Sequence, residues 1–265
     1  MSNRLAKSSA FLLAMLLCSS AVFSQTASRP EAAPSPKPLI PGGAPDLSGN
    51  WLIAPGKSSW DPSDESGKNP EQMAMTPWAR AKLKAARPPF GANETFENTN
   101  DPVQKYCDPP GLTRLYTYPW QFTIVQTPGA VYVLYEYFHI WRVVAMNQAH
   151  NTDVDSTWLG DSVGKYEGDT LVIDTIGLND KSWLDQVGHP HSDKLHTIER
   201  LRRVDHDTLQ LELTVDDPKA YTKALTSKRL FKWSSFPLGE TMCSLSETQA
   251  FQKNIINRTN PSPKK

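Results

Sequence analysis

Three of the six histidines lie close together in the chain, His189, His191 and His196, with Asp193 and Glu199 beside them. Neutral imidazoles next to a carboxylate can ligate a divalent metal such as zinc or iron, and one imidazole with one acid can move a proton. His189, His191 and His196 therefore form a candidate metal set, and His139, His191 and His196 are candidate acid–base groups. The spacing lacks the helical i, i+4 histidine pair of zinc proteases, and within a strand His196 and Glu199 face opposite sides because side chains alternate. A hydrogen-bonded, histidine-rich surface loop accounts for the same residues.

The run Tyr135 to Val144 is a second candidate. On a period of two, Tyr135, Tyr137, His139, Trp141 and Val143 share one face, and Glu136, Phe138, Ile140, Arg142 and Val144 the other. An aromatic face with one imidazole suits a pocket that grips an apolar or aromatic ligand and fixes it with a few polar groups, so Tyr135, Tyr137, Trp141 and Arg142 are candidate ligand contacts. Core filling explains the aromatics equally well, and Glu136 with Arg142 could form a buried charge pair. Asp174 joins the ligand candidates because it sits in an apolar strand with Val172 and Ile176 on its own face. Buried, that carboxylate needs a partner such as Arg200, Arg202 or a ligand; otherwise it faces solvent on an outer wall. His150 falls at a loop tip. Ser162, in Gly160-Asp161-Ser162-Val163-Gly164, has the Gly-x-Ser-x-Gly spacing but no helix after it, which disfavours a hydrolase of the nucleophile-elbow type.

Strands must position these groups. The clearest signal is the hairpin within Trp158 to Gly177, where Ser162–Tyr166 and Thr170–Ile176 alternate around the turn cluster Glu167-Gly168-Asp169. Leu47–Ile53, Gln121–Gln126, Val131–Met146 (long, bent near Phe138), Lys194–Val204, Thr208–Val215 and Thr222–Trp233 also read as extended. Thr76-Pro77 opens one short basic surface helix that Pro88-Pro89 ends. Phe90–Pro119 reads as irregular, and Gln249–Ile256 as either strand or helix. The pattern predicts a mainly β chain: one antiparallel meander of about eight strands closing into a barrel, with a two-sheet sandwich as the alternative.

The chain of 265 residues carries 28 basic and 28 acidic side chains, a neutral balance that argues against nucleic-acid partners. Residues 1–24 read as a signal peptide, 25–45 as a Pro-rich leader, 46–256 as one domain and 257–265 as a polar tail. The apolar run in the signal is too short to span a bilayer, and no later run approaches that length, so a periplasmic or secreted protein without a membrane span is expected. Once Cys18 leaves with the signal, Cys107 and Cys243 remain, and an oxidising compartment favours their pairing.

Two resemblances add to this reading. Gly49-Asn50-Trp51 resembles the Gly-x-Trp opening of lipocalins. That likeness implies a barrel plugged at one end by Trp51, with a late basic residue, Arg229, packed across it. More extensively, Asp46-Leu47-Ser48-Gly49-Asn50-Trp51, Cys107-Asp108-Pro109-Pro110-Gly111, Gly160 to Gly164, Glu167 to Thr175 and His196-Thr197-Ile198-Glu199-Arg200 together resemble a family of secreted bacterial proteins with a Tyr/Trp-Glu-Gly-Asp-Thr-Leu-Val hairpin. This second likeness covers nearly the whole mature chain and implies secretion and a single domain, but no mechanism. The leading expectation is a secreted or periplasmic lipocalin-like barrel binding a small, largely apolar or aromatic ligand. The alternatives are an enzyme using a histidine–acid or histidine–metal site in the same cavity, and an envelope interaction protein.

Overall fold

A computed structural model describes residues 43, 45–55, 73–86 and 99–251. The signal segment, most of the leader and the 257–265 tail lie outside the described residues. Nine strands close into a barrel in chain order: β1 (Gly49–Ile53), β2 (Phe122–Gln126), β3 (Ala130–Tyr135), β4 (Trp141–Met146), β5 (Asp161–Glu167), β6 (Thr170–Ile176), β7 (His196–Asp205), β8 (Thr208–Asp216) and β9 (Leu225–Ser234). Alternation drives the closure. Val131, Val133 and Tyr135 on β3, Leu171 and Ile173 on β6, and Leu209, Leu211, Leu213 and Val215 on β8 are all buried, while the residues between them on β3 and β8 face outward or are only partly covered; on β6 the intervening Val172 is covered as well. The barrel, not the sandwich, is the outcome.

The meander is not wholly antiparallel. β4 and β5 run parallel, Val144 facing Ser162 and Met146 facing Gly164, whereas every other pairing, including β1 with β9, is antiparallel. An odd number of strands cannot alternate direction all the way round a closed ring, so one parallel neighbour is required. The reversal starts at Asn147, in the left-handed region at φ 55°, and the segment 147–160 brings the chain back beside β4. At its far end Gly160 has φ 70°, and a Cβ there would fall 2.4 Å from the Ile176 carbonyl oxygen, so a side chain is excluded twice over.

The expected long strand from Val131 to Met146 is instead the β3–β4 hairpin. Phe138 (φ 67°) and His139 (φ 50°) both take left-handed backbone and reverse the chain. The shared aromatic face is thereby split: Tyr135 is buried, whereas Trp141 and Val143 point outward.

Helices exceed the one expected. α1 (Pro77–Ala86) matches it, with Thr76 Oγ1 accepting from the Ala79 N–H at 3.2 Å as the cap. The stretch read as irregular holds α2 (Pro102–Tyr106) and α3 (Leu112–Leu115), and α4 (Leu245–Phe251) decides the closing segment as helix over those residues. No helix among the described residues is long and apolar enough to cross a membrane. α3 is buried throughout, anchored by Arg114, whose guanidinium pairs with both oxygens of Asp101, and it delivers Tyr116 into the barrel. There the rings of Tyr116, Phe122, Tyr135 and Phe231 pack at centroid separations of 5.0 to 6.1 Å.

Trp51 is fully buried and donates its ring N–H to the Leu47 carbonyl at 2.9 Å. The cation across its ring is Arg203, 5.0 Å from the centroid, in place of the expected Arg229. Cys107 and Cys243 form a disulfide with Cα atoms 5.6 Å apart, tying the end of α2 to the segment before α4.

Candidate functional site

The β3–β4 hairpin builds an accessible, largely apolar site. Its tip is fastened to the chain after β9: the Phe138 N–H donates to the Thr241 carbonyl at 3.2 Å, Tyr137 forms a bridge with Thr241, and His139 Nε2 sits 3.1 Å from both the Thr241 N–H and the Gly239 carbonyl oxygen. Two cavities, of about 340 and 270 Å³, adjoin this tip and share His139, Ile140 and Trp141. The larger adds Leu134, Tyr135 and Leu238, the smaller Pro109, Trp158 and Leu159. Trp141 is 61% exposed and forms one wall shared by both cavities. Consecutive left-handed residues without glycine are strained, and such strain gathers at functional sites. Of the predicted ligand contacts, then, Tyr135 and Trp141 come together here with His139. Tyr137 instead stacks on Trp120, with centroids 5.8 Å apart and planes 4° from parallel, and buttresses the hairpin.

Arg142 points the other way, into the barrel. Its partner is Glu199 on β7, Nη2 to Oε1 at 2.7 Å, and not the expected Glu136; Tyr116 Oη accepts from the same nitrogen at 2.9 Å. Both charges are buried. Burial disfavours the guanidinium charge, but Glu199, Tyr116 and Tyr135 outweigh it and hold the arginine firmly protonated. Ser162 and Thr175 join hydroxyls at 2.9 Å nearby. Arg142 Nε, Glu199 Oε2 and the Thr197 hydroxyl have no protein partner. This is a polar knot inside an otherwise apolar barrel, arranged to hold its own charge.

Asp174 lies on the outer wall. The expected arginines are engaged elsewhere, Arg200 with Glu167 at 3.0 Å and Arg202 with Asp169 at 2.9 Å. Asp174 Oδ1 instead meets two histidines, His196 Nε2 at 2.7 Å and His150 Nε2 at 3.1 Å, and His150 Nδ1 meets Asp161 Oδ2 at 2.7 Å. An imidazole flanked by carboxylates on both nitrogens is held as the cation, since each contact needs a proton. Burial pulls the His150 pKa down, yet the hydrogen bonds from Asp161 and Asp174 outweigh it and the net shift is upward. His150 thereby pins the returning 147–160 segment onto β5 and β6.

The predicted metal set does not converge. His189 is buried against Asp185 with Nδ1 2.5 Å from Oδ2, His191 is buried against Ser182, and His196 belongs to the Asp174 cluster. Among the described residues no group of three or more His, Cys, Asp or Glu side chains is placed to hold a metal ion. The candidate acid–base residues His139, His191 and His196 likewise occupy three separate settings. Sequence reasoning missed Tyr116 and Ser182, and it left Glu199 without its role; inward parity with Thr197 and Leu201 on β7 was the available signal for Glu199.

No protein-family model and no curated protein matches the chain. Among solved structures, the chain is similar to the REP1-NXSQ fatty acid transporter, at 13% identity and TM-score 0.35, over 72% of this chain and 98% of that one. A point mutant of that transporter gives 14% and 0.35, over 71% of this chain and 98% of that one. A mutant of the fluorescent protein UnaG gives 13% and 0.34, over 72% and 97% respectively. These likenesses bring no residue roles; the nine-strand closure rests on the strand pairing of the chain itself.

Proposed function

We propose that this is an exported β-barrel that binds a small, largely apolar or aromatic molecule at the barrel end built by the β3–β4 hairpin. The observation that carries the reading is the pair of adjoining cavities sharing His139, Ile140 and the exposed Trp141. Apolar walls with a few polar groups are the usual makeup of a small-molecule site. A site at the barrel end is supported by the packing of Tyr116, Phe122, Tyr135 and Phe231, whose rings occupy the barrel interior. Export is supported by the amino-terminal apolar segment and by the Cys107–Cys243 bridge, which suits an oxidising compartment.

Titration with the fluorescent apolar probe N-phenyl-1-naphthylamine tests the reading. Saturable binding is expected, weakened about tenfold by Trp141→Ala, the equivalent of one aromatic contact. Absence of saturable binding, or binding indifferent to Trp141→Ala, rejects the site.

A further inference from the structure

A third cavity, of about 150 Å³, shares no lining residue with the two at the hairpin; Trp78, Lys82, Lys181, Ser182, Trp183 and His191 border it. Two of these residues form an ordered pair. Ser182 Oγ lies 2.9 Å from His191 Nε2, and His191 Nδ1 lies 3.2 Å from the Ser192 carbonyl oxygen. A carbonyl only accepts, so the ring proton sits on Nδ1, and Nε2 offers its lone pair to the Ser182 hydroxyl. Burial, partly opposed by the Ser192 carbonyl and Asp217, holds the His191 pKa below its ordinary value, so the ring is neutral and able to accept a proton at pH 7.

The surroundings keep the pair in register. Trp183 and Pro190 form a bridge, and the Leu184 N–H donates to the His189 carbonyl at 2.8 Å, so the chain doubles back and brings Ser182 beside His191. Buried Asp217 accepts from the Ser192 N–H and hydroxyl, which fixes the carbonyl that orients the ring. Gly111 passes so close that a Cβ there would stand 2.2 Å from Ser182 Oγ. Nucleophile, base and orienting acceptor thus follow the logic of serine acyl-transfer sites, with a backbone carbonyl in the place usually taken by a carboxylate.

We propose that Ser182 is a nucleophile activated by His191, and that this cavity hydrolyses small esters with a short acyl group. The Ser182 hydroxyl proton passes to His191 Nε2 as Oγ bonds to the ester carbonyl carbon. The carbon–oxygen bond to the alcohol then breaks, and the alcohol leaves with the proton from His191. Water repeats the sequence on the acyl-serine, giving its proton to His191 and releasing the acid as Ser182 recovers its hydrogen. The small volume limits the acyl chain, and the border carries both signs of charge, Lys82 and Lys181 with Asp180.

The full chain is treated with a fluorophosphonate and, separately, assayed on p-nitrophenyl acetate. The expected results are one phosphonyl adduct per chain that peptide mapping places on Ser182, and acetate release lost in Ser182→Ala. His191→Gln is expected to slow both reactions by about 100-fold or more. No adduct, an adduct mapped to another serine, or unchanged acetate release in a folded Ser182→Ala variant overturns the proposal. Mapping on the unaltered chain decides the matter even where a variant does not fold. Because the hairpin site is separate, naphthylamine binding is expected to survive Ser182→Ala.

Discussion

Glu199→Gln would leave the Arg142 charge stranded in the barrel centre, because no other acid is bonded to that guanidinium. A loss of about 3–5 kcal/mol in urea unfolding is expected, as for other buried pairs broken on one side. Replacing both residues together, Arg142→Met with Glu199→Leu, removes the charge as well as its partner and is expected to cost much less. The contrast between single and double variants separates desolvation from packing. On the outer wall, the raised pKa of His150 gives stability a defined pH dependence. The folded form holds the proton more tightly than the unfolded chain, whose histidine pKa is about 6.5. The contribution is therefore fully present below that value and is lost as pH rises through the folded pKa. Proton NMR titration of His150 should give a midpoint above 6.5, and His150→Gln should remove this part of the alkaline decline.

The elements differ in how far local rules determine them. Hairpin β5–β6 was legible because its alternation and its Gly168-Asp169 turn are both local, and the structure pairs Glu167 with Thr170 there. The β3–β4 reversal was not, since Phe138 is not a residue that ordinarily accepts left-handed backbone; a tertiary bond to the Thr241 carbonyl holds it, while the His139 N–H closes a local turn on the Glu136 carbonyl. That one missed turn moved Trp141 from the predicted aromatic face to the outside. The partner of Arg142 lies 57 residues away, and the parallel seam depends on the path of 147–160; neither leaves a local trace. The Ser182–His191 pair was hidden for the same reason, formed by a loop doubling back and not by a motif. Two predictions belong at this scale. Gly160→Ala should destabilise the β4–β5 junction by about 1–3 kcal/mol, visible as lost amide protection at Ser162 and Gly164. Cys107→Ser with Cys243→Ser should cost about 2–5 kcal/mol of denaturant stability, because the bridge spans 136 residues and constrains the unfolded chain.

At the scale of the molecule, β1 is the strand that closes the ring. β5 to β9 are linked successively through neighbouring antiparallel pairs, and β2 pairs with β3 and β3 with β4 in the same way. β1 has no such neighbour in the chain: Gly49 pairs with Ile124 on one side and Asn50 with Ser234 on the other. Both pairings must gather distant segments, so the entropy of loop closure falls on this strand, and it should dock after the folding barrier has been crossed. Substituting Trp51→Phe should then steepen the loss of the native state without slowing its formation: the unfolding arm of the chevron rises while the folding arm stays where it was. The lifetime of the closed barrel, more than the speed at which it forms, is set by how firmly its first strand is held.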